Sequence, residues 1–105
     1  SDLAVAVLRE FAARLAHLTA LVESLSLYSV QQRLARFLLS HAETGTVTQR
    51  WTYDDLAERL GTVRDVVGRC LRAFEDQGLM RRERGQLVLR DRARLERLAA
   101  NESQG

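Results

Sequence analysis

Proline is absent from the 105 residues, and so is lysine. Without proline nothing forces a helix to kink, so long uninterrupted helices are expected. The single cysteine, Cys70, excludes an internal disulfide framework. It fits a reducing compartment, and a cytoplasmic location is expected. No apolar run approaches the length of a membrane span, so no membrane partner is expected. The N-terminus lacks the basic-then-apolar pattern of an export signal. Six dispersed glycines leave no phosphate-binding loop. The two histidines, His17 and His41, lie far apart and outside any metal-ligand spacing. Both read as solvated surface side chains. Cys70 shares a helical face with Val67, Leu71 and Phe74, which makes it a core residue and not a nucleophile. An enzyme is therefore not expected, nor a metal site, nor a cofactor within this stretch.

What is present points elsewhere. Charge is distributed unevenly: residues 1–58 hold five arginines against seven acids, residues 59–97 eleven against six. A basic half beside a near-neutral half suits an anionic partner. All sixteen cations are arginine, whose planar fork matches phosphate and guanine. Genomic base composition is the plainer account of the missing lysine.

The pattern along the chain predicts a mainly α fold with small β-hairpins. A winged helix-turn-helix follows a long coiled-coil helix. Over residues 3–26 the apolar positions Ala4, Leu8, Phe11, Leu15, Leu18, Val22 and Leu25 step by four and three, a heptad seam. Val7, Ala12 and Leu21 widen that stripe, so a helix packed only on its own domain is the alternative. The heptad breaks over residues 25–29, where a hinge is expected. Ser29 with Gln32 then reads as a capping box opening a second helix over 30–42. The expected division is a dimerisation helix and hinge over 1–28 and a winged helix-turn-helix over 29–105. The abrupt start at Ser1 suggests a cut from a longer protein.

Residues 47–51 read as a short strand. Thr52 with Asp55 makes a capping box, and Trp51 with Leu56 is spaced for a hydrophobic staple. Thr62 with Asp65 is expected to cap a helix over 63–77, which stops at Gly78. Strands over 79–82 and 86–90 flank a turn at Arg84-Gly85. Asp91 caps a last helix, and the polar tail 101–105 is expected to fray.

The informative segment is residues 62–72. With Val67, Cys70, Leu71 and Phe74 turned inward, Arg64, Asp65, Gly68, Arg69 and Arg72 share the outer face. In helix-turn-helix docking the first turn of this helix enters the major groove. Arginine holds guanine through two acceptors, and a carboxylate accepts from cytosine. A carboxylate among arginines suits base reading, since phosphate would repel it. Gly68 would let the backbone approach DNA. The alternative is a solvated face laced by an Asp65–Arg69 ion pair. Arg81, Arg82 and Arg84 on the hairpin are placed to meet flanking phosphates.

The run Thr52-Tyr-Asp-Asp-Leu-Ala-Glu-Arg-Leu-Gly-Thr-Val-Arg-Asp-Val-Val-Gly-Arg-Cys-Leu-Arg72, continuing to Met80, resembles the helix-turn-helix of the Crp/Fnr family. The ending Asp91-Arg-Ala-Arg-Leu-Glu-Arg-Leu-Ala99 resembles that family's final helix, and the N-terminal half its dimerisation helix. The resemblance implies a sequence-specific bacterial transcription regulator preceded by a β-roll sensor domain whose effector is unknown. It implies base readout by Arg64, Asp65 and Arg69. DNA-backbone contacts are expected from Thr52, Val63, Arg72, Arg81, Arg82 and Arg84. A homodimer interface is expected from Leu8, Phe11, Leu15, Leu18, Val22 and Leu25. The implied partners are a palindromic double-stranded DNA and a second copy, with RNA polymerase a further one. Asp65 stands where the family usually has glutamate, and Val63 where it has a small hydroxyl residue. Leu18-Thr19 stands where cyclic-AMP receptors carry Thr-Ser, which disfavours cyclic AMP. The competing reading is a winged helix used for protein–protein assembly, its arginines merely solvated.

Overall fold

The computed structural model describes residues 1–101, without the side chains of residues 24–26. A single helix, α1 (Asp2–His41), opens the chain; Ser1 caps it by accepting from the Ala4 N–H at 3.3 Å. A short strand, β1 (Thr46–Val47), follows, then α2 (Tyr53–Leu60) and α3 (Arg64–Asp76). A hairpin of β2 (Met80–Glu83) and β3 (Gln86–Leu89) comes next, and α4 (Arg92–Ala100) closes the chain. The sheet is antiparallel in the order β1-β3-β2, with Val47 opposite Leu87 and Arg82 opposite Leu87 from the other side. Among the described residues no helix is long and apolar enough to cross a membrane.

The expected hinge is not there. Helix α1 runs through residues 25–29 without interruption, and the Ser29–Gln32 capping box does not form. The reason lies in which face is buried. Before residue 25 the seam faces away from the rest of the chain. From Leu27 the apolar stripe shifts to Val30, Leu34 and Leu38, which bury against the other helices. The heptad break thus marks a change of buried face, and no glycine or proline is present to turn it into a break of backbone. Arg33 reinforces the continuation by donating to the Leu60 carbonyl at the end of α2. The expected tail falls mostly on residues 102–105, outside the described residues.

The core forms where α1 is joined by α2, α3 and α4. Leu34, Leu38, Leu56, Val67, Leu71, Phe74 and Leu95 are fully buried, and no polar or charged residue is buried among the described residues. The local signals of the helix-turn-helix are realised closely. Asp55 N–H donates to Thr52 Oγ1 at 3.0 Å while Thr52 N–H donates to Asp55 Oδ2 at 3.3 Å, a complete capping box. Trp51 packs against the core cluster that contains Leu56. Gly61, at φ +69, reverses the chain in a conformation that disfavours other residues.

Three local expectations are corrected. The strand at 47–51 stops at Val47, because only Thr46 and Val47 find partners on β3. Thr62 does not cap α3: its N–H bonds to the Ala57 carbonyl at 2.9 Å, which commits it to the end of α2. The cap falls on Val63, with no side-chain bond. His41 is not merely solvated. It stacks on Phe37 at 4.1 Å, meets Trp51 edge-on at 5.6 Å, and its Nδ1 lies 3.0 Å from the Phe37 carbonyl.

Cys70 lies in the core as expected, and burial pushes its thiol from 9.0 up to about 11 despite the opposing field of Arg33. A buried neutral thiol is a poor nucleophile. A maleimide at pH 8 should therefore label the native protein far more slowly than the unfolded one; equal rates would place Cys70 at the surface. The sign for stability follows from linkage. Between about pH 9 and 11 the unfolded chain releases the thiol proton while the folded one keeps it, so this contribution is intact below pH 9 and lost above it. In Cys70→Ala that part of the alkaline decline should disappear.

Candidate nucleic-acid interface

Helix α3 presents two unlike faces. Val67, Cys70, Leu71 and Phe74 are buried, and Arg64, Asp65, Arg69 and Arg72 are exposed. The Asp65–Arg69 ion pair of the alternative reading does not form, and neither Arg69 nor Arg72 has a side-chain partner among the described residues. Arg64 is lightly held: it lies 3.6 Å from Asp54, both well exposed, and 5.8 Å from the centre of the Tyr53 ring. The outer stripe is thus a set of guanidinium groups beside one carboxylate, with Arg64 loosely paired and Arg69 and Arg72 unengaged among the described residues.

Gly68 is more enclosed than its expected role suggests. It is buried, and a Cβ there would meet the Tyr53 ring at 3.5 Å. That distance is ordinary van der Waals contact, so the Tyr53 ring covers this position without requiring a glycine there.

The hairpin divides its arginines between two tasks. Arg84, at φ +51, and Gly85, at φ +78, form the tight turn at its tip. Arg84 is exposed and without a side-chain partner among the described residues; Arg81 is exposed and pairs with Glu83 at 2.9 Å. Arg82 is committed inward. Its Nε and Nη2 contact Glu75 Oε1 at 2.7 and 2.5 Å, and its Nη1 donates to the Tyr53 hydroxyl. Burial by itself would lower its pKa, but the bonds to Glu75 and Tyr53 outweigh that and raise it. One arginine thus ties the hairpin to both helices of the helix-turn-helix.

Sequence reasoning missed Arg50. A Cβ on Gly85 would lie 3.2 Å from Arg50 Nε and 3.4 Å from its Cζ, so this guanidinium lies across the hairpin turn beside Arg84. Nothing in the sequence joins positions 50 and 85; only the pairing of β1 with β3 does. The two remaining backbone-contact expectations have little to offer from their side chains. Thr52 has its hydroxyl engaged in the capping box, and Val63 is 62% exposed with an apolar side chain. Their helix ends still offer free N–H groups.

On α1, Leu8, Phe11, Leu15, Leu18 and Val22 are 58–67% exposed, an apolar row that no part of this chain covers among the described residues. Leu25, expected to extend it, has a side chain outside the described residues. Among the described residues no group of His, Cys, Asp or Glu is arranged to hold a metal.

Comparison with known proteins agrees with this geometry. Residues 32–98 match the family model described as a Crp-like helix-turn-helix domain. A transcriptional regulator, SdrP, of Thermus thermophilus is 31% identical over 91 residues, which cover 80% of this chain and 45% of that protein. The catabolite activator protein of Thermus thermophilus superposes with a TM-score of 0.69 at 28% identity, over 85% of this chain and 42% of its own. DNR of Pseudomonas aeruginosa superposes at 0.74 and 25%, over 93% and 45%. The chain spans about half the length of these relatives. It belongs to the Crp-like helix-turn-helix domain family and is homologous to regulators of the Crp/Fnr family.

Proposed function

We propose that this chain binds double-stranded DNA in a sequence-specific manner, as the DNA-reading and dimerising part of a bacterial transcription regulator acting in the cytoplasm. Residues 29–105 would form the reading unit and residues 1–28 the dimerisation segment. The observation that carries the proposal is the outer face of α3, where Arg64, Asp65, Arg69 and Arg72 are exposed on the second helix of a helix-turn-helix. Arg64, Asp65 and Arg69 read base edges; Arg72, Arg81, Arg84 and the first-turn N–H groups of α2 and α3, just after Thr52 and Val63, hold phosphates. Arg50 joins this second group by its place beside the hairpin tip. Arg82 supports the hairpin and contacts DNA little, since its donors are engaged with Glu75 and Tyr53. RNA polymerase is a further proposed partner, and an effector would act through a segment outside this chain.

Selection from random duplexes tests the proposal. Two reading helices related by a two-fold axis call for a palindrome with half-sites about 34 Å, one helical turn, apart. Recovery of single half-sites at low protein concentration would count against the paired arrangement. A protein that gives no salt-dependent mobility shift with any duplex would favour the assembly reading instead.

A further inference from the structure

Outside the α3 face, a group of cations lines an open cavity of about 310 Å³ between α1 and α2. Arg33, Arg36, Ser40 and His41 contribute from α1, and Arg59 from α2; nothing from α3 or the hairpin reaches it. Carbonyl oxygens help to place two of the guanidinium groups. Arg33 donates to the carbonyls of Leu60 and, at 3.4 Å, Ser29, and Arg36 Nε donates to the Ala99 carbonyl at 3.1 Å. For Arg33 the carbonyls orient the side chain without cancelling its charge. Arg33 and Arg59 form no ion pair among the described residues. The wall beside them is stiffened by the stack of His41 on Phe37 and by Ser40, whose Oγ lies 3.0 Å from His41 Nδ1. Like charges held together in a concave, preset site repel one another, and an anion that bridges them relieves the repulsion. The planar fork of arginine favours oxygens arranged as in phosphate.

We propose that this cavity binds a polyanion of phosphate type, with two or more charged groups to span Arg33 and Arg59. A free polyphosphate and the backbone of DNA flanking the read site share that chemistry. Calorimetric titration of the whole chain with tripolyphosphate tests it. Arg59→Ser removes an exposed side chain, and the fold should remain intact. It should weaken binding by about tenfold, the loss expected for one charged hydrogen-bonding partner. Arg9→Ser makes the same change in net charge far away on α1 and should leave binding unchanged. A parallel titration compares the selected duplex with one extended on both sides. If Arg59→Ser weakens only the extended duplex, the phosphates come from flanking DNA; if it weakens tripolyphosphate, the site takes a free polyanion. The proposal is overturned if Arg59→Ser changes neither, or if Arg69→Ala and Arg9→Ser weaken tripolyphosphate as much as Arg59→Ser does.

Discussion

Leu18→Glu should convert the protein from dimer to monomer. Leu18 lies near the middle of an apolar row, and it is 58% exposed in the single chain. A two-fold seam would bring each Leu18 against its twin, so the substitution places two carboxylates together in an apolar contact, at a cost of several kcal/mol. A weak helix pair has little margin against such a cost. Sedimentation at a fixed concentration reads the outcome, with His17→Glu as the matched control. His17 is exposed and one residue away, outside the seam, so that variant should stay dimeric. A dimer that survives Leu18→Glu would show that the chain pairs through another surface. Helical content should be nearly unchanged, because Leu18 takes no part in the core.

Arg69→Ala should cost about 1–3 kcal/mol per half-site and relax preference at one base pair. Arg69 projects from the second turn of α3 with no partner to leave, so the wild-type side chain breaks no internal bond on binding. Arg84→Ala should behave differently. It should weaken selected and scrambled duplexes alike and lower the salt slope by about one phosphate per site. Titrating both variants against both duplexes at several salt concentrations separates the roles. Equal weakening of the two duplexes by Arg69→Ala would make Arg69 a phosphate clamp. A changed preference in Arg84→Ala would mean that the hairpin reads a groove.

What the sequence disclosed was chiefly local. The Thr52–Asp55 box, the Asp91 cap, the turn at Arg84-Gly85 and the inward face of α3 depend on residues within a few positions of each other, and all are present. The resemblance of residues 52–80 then supplied the family. What stayed hidden depends on partners distant in sequence. The continuity of α1 is decided by Val30 and Leu34 meeting the core, which overrides a break in the heptad. The cover that Tyr53, fifteen positions earlier, lays over Gly68 could not be read from the sequence either. Arg82 read like its neighbours Arg81 and Arg84, and only the fold shows Glu75 and Tyr53 within its reach. The stack of His41 on Phe37, four positions earlier, was open to a local reading, but its edge contact with Trp51 was not.

The unbroken α1 has a mechanical consequence. Forty residues of helix make a rod about 60 Å long, nearly the full 65 Å length of the molecule. Its last turns are built into the core that seats α2 and α3, so the reading head cannot swivel independently of the shaft. A tilt of about 3° at the free end of a 60 Å lever displaces the far end by about 3 Å, close to the spacing of about 3.4 Å between successive base pairs. Register on DNA is therefore sensitive to angles too small to alter any contact along the shaft, and a flexible insertion in α1 would blunt that leverage while leaving both ends folded.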